Sequence, residues 1–166
     1  SLMLTLACGC DSFLDETNYS DVTSEGGYYD TEAGLNAVVN ACYTPLRFWA
    51  GKEDAIGLSE TGTDIIAAGS GCVDNNMAAY TQSLDGTNSA CTFYFDRFYA
   101  AINWCNTAIF HAQTVPNPSN DEILATTLNK REAEARVLRT FYYWILTETF
   151  GDTYYTDQPS TSIVMN

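Results

Sequence analysis

An all-α fold is what this sequence predicts, for three reasons. Apolar residues recur at three- and four-residue spacing through three long stretches, Pro and Gly stand between those stretches, and no run of useful length alternates as a strand does. The order along the chain is helix, long loop, helix, turn, helix. Two long antiparallel helices joined by a proline turn make a helical hairpin of the kind that repeat proteins stack.

The first helix opens at Asp30-Thr31-Glu32, which offers caps and first-turn acid. Leu35, Val38, Val39, Cys42 and Leu46 give it an apolar face to about Arg47 or Phe48, with Pro45 expected to kink or shorten its last turn. From Ala50 to Asn88 the chain is broken by Gly51, Gly57, Gly62, Gly69, Gly71 and Gly86, so it reads as mostly loop with one or two short elements. The second helix runs from about Thr92 to Ala112 on a stripe of Phe95, Phe98, Tyr99, Ile102, Cys105, Ile109 and Ala112. Val115-Pro116-Asn117-Pro118 breaks it, and Ser119-Asn120-Asp121-Glu122 reads as a capping box for the longest helix. Leu128, Ala135, Leu138, Phe141, Tyr142, Ile145, Leu146 and Thr149 keep the period there until Gly151 supplies a stop. Asp152 to Asn166 reads as irregular.

With 166 residues, 46% hydrophobic and 13% aromatic, the chain has room and material for one packed domain. A net charge of −14 argues against nucleic acid as a partner and disfavours adsorption to anionic lipid headgroups. No stretch could serve as a transmembrane helix, which needs about 20 apolar residues, so holding such a chain at a membrane would take a lipid anchor. The opening SLMLTLACGCDSFLDE sets small residues and cysteines between a short apolar run and a burst of acid. It reads as the tail of a secretory signal before a lipid-bearing cysteine, with the basic leader missing because no Lys or Arg precedes Arg47. The expected organisation is a signal remnant over 1–10, an acidic tether over 11–31, and a truncated helical domain over 32–166.

Neither C-x-x-C nor H-x-x-x-H occurs, so neither a structural zinc nor any cofactor is expected. Cys42, Cys72, Cys91 and Cys105 allow three pairings; Cys72 and Cys91, both in loop-like sequence, could bridge in an exported protein. His111, the one histidine, suits a structural place near a helix C-terminus. Glu132, Glu134, Arg136 and Arg139 read as an ion-paired helix face rather than an acid–base pair. Gly69-Ser70-Gly71 matches no phosphate-binding loop. Tyr28, Tyr29, Trp49, Tyr80, Phe93 and Tyr94 lie outside or at the ends of the expected helices, in loops that also hold Asn75, Asn76 and Gln82. That mixture suits glycan contact, because rings stack on sugars and amides bond hydroxyls. It also suits loop aromatics filling gaps beneath a glycine-rich surface.

Several stretches together resemble one family. Gly9-Cys10-Asp11-Ser12-Phe13-Leu14-Asp15 is similar to the lipidated start of SusD/RagB-type nutrient-uptake lipoproteins. Gly34 to Arg47, GLNAVVNACYTPLR, resembles their first helix, and Thr63-Asp64-Ile65 a short motif after it. Phe95 to Ile109, FDRFYAAINWCNTAI, resembles a Tyr-x-x-Ile-Asn-x-x-Asn helix. Glu132 to Asp152, EAEARVLRTFYYWILTETFGD, resembles an Ala-Arg-x-x-Arg helix ending in Phe-Gly-Asp.

The resemblance covers the N-terminal portion of that family. It implies tetratricopeptide-like hairpins with long irregular loops, anchored to the outer membrane by lipid on Cys10, at the cell surface. It implies a binding protein rather than an enzyme, one that captures oligosaccharides, or peptides in the RagB branch, beneath which sits a SusC-like TonB-dependent transporter. Tyr80, with Asn75 and Asn76 as hydrogen-bonding partners, is the expected ligand contact, and Arg136 and Arg139 are expected to be structural, one of them meeting Asp64. Two other classes remain as alternatives. A glycoside hydrolase needs two carboxylates about 5–10 Å apart, and no loop-lined pair stands out; a helical scaffold for another protein is the second.

The anchor is open to direct test. Gly9 is the small residue expected just before the modified cysteine, so incorporation of a fatty-acid probe should vanish in Cys10→Ser and persist in Cys8→Ser. The reverse pattern defeats the assignment.

Overall fold

The structure, a computed structural model, describes residues 27–50, 53–69, 78–82 and 85–160. Five α-helices occupy the described residues: α1 (Glu32–Tyr43), α2 (Leu46–Ala50), α3 (Glu53–Ser59), α4 (Ser89–Thr114) and α5 (Glu122–Phe150), with a 3-10 turn at Tyr28–Asp30. The all-α reading holds. α4 and α5 form the expected hairpin, and α1 lies against both.

Local sequence explains most boundaries. Thr31 caps α1, its hydroxyl accepting the Gly34 N–H at 3.0 Å; Asp30, expected as part of the cap, instead belongs to the 3-10 turn and is buried. Gly34 is required there, because a Cβ on it would sit 1.9 Å from the Tyr28 carbonyl oxygen. Pro45 splits the first helical stretch into α1 and α2. α4 starts three residues earlier than its apolar stripe predicts, which places Phe93 and Tyr94 within its first two turns. The capping box is corrected by two residues: Asp121, not Ser119, caps α5, its carboxylate accepting from Ile123 and Leu124 N–H. The Asn117 side chain supports this corner by bonding both the N–H and the C=O of Asp121, each at 2.9 Å. Gly151, at φ +80, ends α5 and donates to Thr147 O at 3.0 Å. Between the first helices and the hairpin, α3 and a single backbone bridge between Thr61 and Ile66 are the ordered pieces described.

The core lies where the three longer helices meet. Leu35, Val38, Val39 and Cys42 of α1 pack onto Phe98, Ala101, Ile102 and Cys105 of α4 and onto Tyr142, Ile145 and Leu146 of α5. Phe95 and Thr149, expected on the apolar stripes, are exposed. The neighbouring Tyr94 is buried in place of Phe95. Arg97 stacks its guanidinium over Phe48 and Phe93, at 4.9 and 4.8 Å from the ring centroids, and so ties α2 to the start of α4.

Two buried polar contacts lock α1 and its leading turn onto the hairpin. His111 Nδ1 meets Asp30 Oδ1 at 2.6 Å, and the Thr114 hydroxyl donates to the same oxygen at 2.6 Å. The structural reading of His111 acquires a partner that the sequence did not identify. Tyr142 is fully buried on α5, and its hydroxyl donates to the Cys42 carbonyl of α1 at 2.5 Å. Burial, and then the nearby Cys105 and Cys42 thiols, push the Tyr142 phenol above its ordinary range.

That phenol sets an alkaline limit. Below about pH 10 it is neutral in both folded and unfolded chains and adds no pH dependence. Above that value the unfolded chain ionises first, binds fewer protons, and becomes favoured, so stability falls as pH rises. The neighbouring Cys42 thiol, and then burial, raise the Cys105 thiol too, so the decline should begin above about pH 8.5 and steepen above about pH 10. Tyr142→Phe should cost about 1 kcal/mol near neutral pH and remove the steeper arm. Urea midpoints measured from neutral to alkaline pH check both, and an unchanged alkaline slope in Tyr142→Phe would refute the assignment.

Candidate functional site

Among the described residues two places bring chemistry-bearing side chains to the surface, and the hairpin positions the better defined one. After Gly151 the chain turns back, and residues 154–160 lie without regular structure across one face of α4 and α5, as a strap. Side chains of the helices hold its backbone. Tyr99 donates to Tyr154 O at 2.8 Å. Asn103 pairs with Ser160 in both directions, accepting its N–H at 2.7 Å and donating to its carbonyl at 3.2 Å. Asn106, 1% exposed, donates through Nδ2 to Thr156 O and Gln158 O, each at 3.2 Å, while its Oδ1 accepts from Arg139 Nη1 at 2.8 Å. The Tyr143 hydroxyl donates to Thr156 O at 2.9 Å and accepts the Thr156 N–H at 2.8 Å.

Helical spacing explains the arrangement. Tyr99, Asn103 and Asn106 are four and three residues apart, which places them on one face of α4. Burial raises the Tyr99 and Tyr143 phenols even though the strap's hydrogen bonds pull the other way, so both remain donors at neutral pH.

Beside the strap is a pocket of about 220 Å³, walled by Ile109 and Phe110 of α4, with Gln113, Arg136 and Arg139 from the helices and Asp157, Gln158 and Pro159 from the strap. Phe110 is 47% exposed, an aromatic face open to solvent. Arg136 bonds Glu132 Oε1 through Nε at 2.8 Å and Nη2 at 2.6 Å, and Gln113 Nε2 reaches the same oxygen at 3.0 Å. Burial by itself would raise the Glu132 carboxyl, but these donors outweigh it and hold the group below the usual carboxylate range. An aromatic face ringed by an amide, a guanidinium and a carboxylate suits a neutral, hydroxyl-rich ligand better than a single ion, since donors and acceptors of both signs converge.

The second place is Tyr80. Its side chain is 72% exposed on a backbone at φ +46, with a ring edge 3.1 Å from where a Cβ on Gly62 would lie. The ring therefore rests over Gly62 and presents a face outward. Of the other expected loop aromatics, Tyr28 is exposed, whereas Tyr29, Trp49, Phe93 and Tyr94 pack onto the core. Asn75 and Asn76, like Cys10, lie outside the described residues. Arg139 meets Asn106 rather than Asp64, which is exposed; the facing helix offers an acceptor closer than the loop does. Phe110, Asp157 and Gln158 were not picked out in the sequence. The one available signal was Phe110 itself, an apolar residue beside the buried stripe but off it. Among the described residues no group of three His, Cys, Asp or Glu could hold a metal ion.

A family model described as "Starch-binding associating with outer membrane", SusD-like, matches residues 12–166. The chain belongs to the SusD-like family. It is also similar to "SusD-like protein P2" of Formosa agariphila, 26% identical over 159 residues that make up 94% of this chain and 30% of the relative. No solved structure matches the chain. In this SusD-like protein the Tyr-x-x-Ile-Asn-x-x-Asn helix is the fastening of the strap: Tyr99, Asn103 and Asn106 each hold strap backbone, while Ile102 faces the core.

Asn106→Ala removes two strap contacts and the acceptor of a partly buried guanidinium. It should cost about 2–3 kcal/mol and speed proteolysis or hydrogen exchange within residues 154–160. Arg139→Ala should show a smaller loss of the same kind. A strap as protected in Asn106→Ala as in the parent would show that the amide is not its anchor, and Arg139→Ala that kept full stability but lost ligand capture would make Arg139 a binding residue.

Proposed function

We propose that this protein is a lipid-anchored, cell-surface glycan-binding protein that captures oligosaccharides and passes them to a SusC-like TonB-dependent transporter. The observation that carries the proposal is the SusD-like match over nearly the whole chain, with its starch-binding and outer-membrane description. The chain spans 30% of the length of the curated relative it matches, so the ligand and transporter of the whole protein enter here as proposals. The role is binding without bond cleavage.

Two surfaces support a saccharide as ligand. Tyr80 offers an exposed ring, with Asn75 and Asn76 nearby in sequence as amide partners for hydroxyls. The strap pocket offers Phe110 as a stacking face, with Gln113, Arg136, Asp157 and Gln158 around it. Both hold a neutral sugar by ring stacking and directional hydrogen bonds, the economy expected in a chain with seven Lys and Arg against 21 acids.

Calorimetric titration with starch-derived oligosaccharides tests this reading. Saturable binding without release of reducing ends is expected; sustained turnover would make the protein a hydrolase, and capture of peptides alone would place it in the RagB branch. By analogy with base stacking on aromatic side chains, Tyr80→Ala should weaken binding about five- to a hundredfold. Unchanged affinity in a folded Tyr80→Ala protein removes Tyr80 from the site.

A further inference from the structure

The strap carries a further aromatic ring beside the pocket. Tyr155 is 61% exposed, yet its ring is backed by Tyr143 of α5, with centroids 5.3 Å apart and planes inclined at 33°. Tyr143 is itself fixed, because its hydroxyl donates to Thr156 O and accepts the Thr156 N–H. One face of Tyr155 is thus held from behind and the other is open, so its orientation is set before any ligand arrives.

Two independent spacings put this ring next to the pocket. Along α5, Tyr143 is four residues beyond the pocket residue Arg139, one helical turn or about 6 Å on the same face. Along the strap, Tyr155 is two residues before Asp157, about 7 Å in an extended chain and on the same side of it. The strap's bonding agrees with that alternation: the hairpin takes the carbonyls of 154, 156, 158 and 160 and the N–H groups of 156 and 160. The N–H and C=O groups of Tyr155 and Asp157 have no partner among the described residues, which leaves them for hydroxyls. The pocket itself, at about 220 Å³, is smaller than the roughly 300–1,000 Å³ that hold a drug-sized ligand. A chain of sugars seated in it must continue outside, and Tyr155 stands along one way out.

We propose that Tyr155 is a second stacking platform of the strap site, so that the site takes a neutral oligosaccharide of several residues rather than a free monosaccharide. One ring sits in the pocket against Phe110 and a following ring lies on Tyr155, with the peptide groups of 155 and 157 bonding hydroxyls between them. The proposal rests on the glycan-binding reading above and adds to it the length of ligand that the strap selects.

Titration with glucose and with starch-derived oligosaccharides of increasing length tests it on the parent, Tyr155→Ala and Tyr155→Phe proteins. Affinity in the parent should rise with length. Tyr155→Ala should weaken the longer ligands about five- to a hundredfold, by analogy with base stacking, and leave glucose unchanged; Tyr155→Phe keeps the ring and should bind as the parent does. In the parent protein, a longer oligosaccharide but not glucose should also protect Tyr155 from oxidation by hydroxyl radicals, read by peptide mass spectrometry. A folded Tyr155→Ala protein that binds every length as the parent does overturns the platform and leaves the glycan reading standing. Equal losses for glucose and for long chains make Tyr155 a support of the pocket and overturn it too, as does undiminished oxidation of Tyr155 at saturating oligosaccharide. A parent that binds no sugar of any length overturns both readings.

Discussion

One buried amide holds this structure's strap and hairpin together. Asn106 is sealed from solvent, and its side chain is committed on both ends, two donors to strap carbonyls and one acceptor to Arg139. A buried amide is costly unless satisfied, and here the satisfaction comes only if the hairpin is formed and the strap is laid down. The same group therefore reads out whether three segments far apart in sequence have met. The pocket depends on that meeting, because two of its five polar lining residues, Asp157 and Gln158, arrive with the strap.

The remainder of the fold serves to hold the hairpin at a fixed spacing. α1 fills the groove on the core side with Leu35, Val38, Val39 and Cys42, and is kept in register by Tyr142 on one side and by the 3-10 turn on the other. Asp30, His111 and Thr114 fasten that turn to the end of α4. Gly34 lets the turn lie against α1 at a distance no side chain would allow. Polar contacts thus fix the helices' relative positions, and apolar burial supplies the drive to bring them together.

The helices were legible because their signal is local. Periodic apolar residues, Pro45, the Pro116–Pro118 turn and Gly151 mark α1, α4 and α5 within a few residues, and these same stretches carried the family resemblance. Caps were less legible: Ser119 and Asp121 both fit as sequence, and only the bonding of Asn117 around the corner selects Asp121. The strap was not legible at all. Its residues have no period, and the bonds that fasten it to the helices come from side chains some 13 to 57 residues away. The Tyr80 platform was legible as a residue type in a glycine-rich loop, but its outward pose over Gly62 is a fact of three dimensions. Asp64 is no partner for either arginine, because Arg136 finds Glu132 on its own helix and Arg139 a neutral amide on the facing one.

The strap is gripped almost wholly by its peptide groups: the carbonyls of residues 154, 156, 158 and 160 and the N–H groups of 156 and 160. A grip of that kind does not read the strap's own side chains. Holding and display are thus assigned to different residues, with Tyr99, Asn103, Asn106 and Tyr143 doing the first and Asp157 and Gln158, which line the pocket, the second. The pocket's outer wall can change its chemistry by substitution in the strap without loosening the hairpin beneath, so its lining is adjustable on a frame that stays constant.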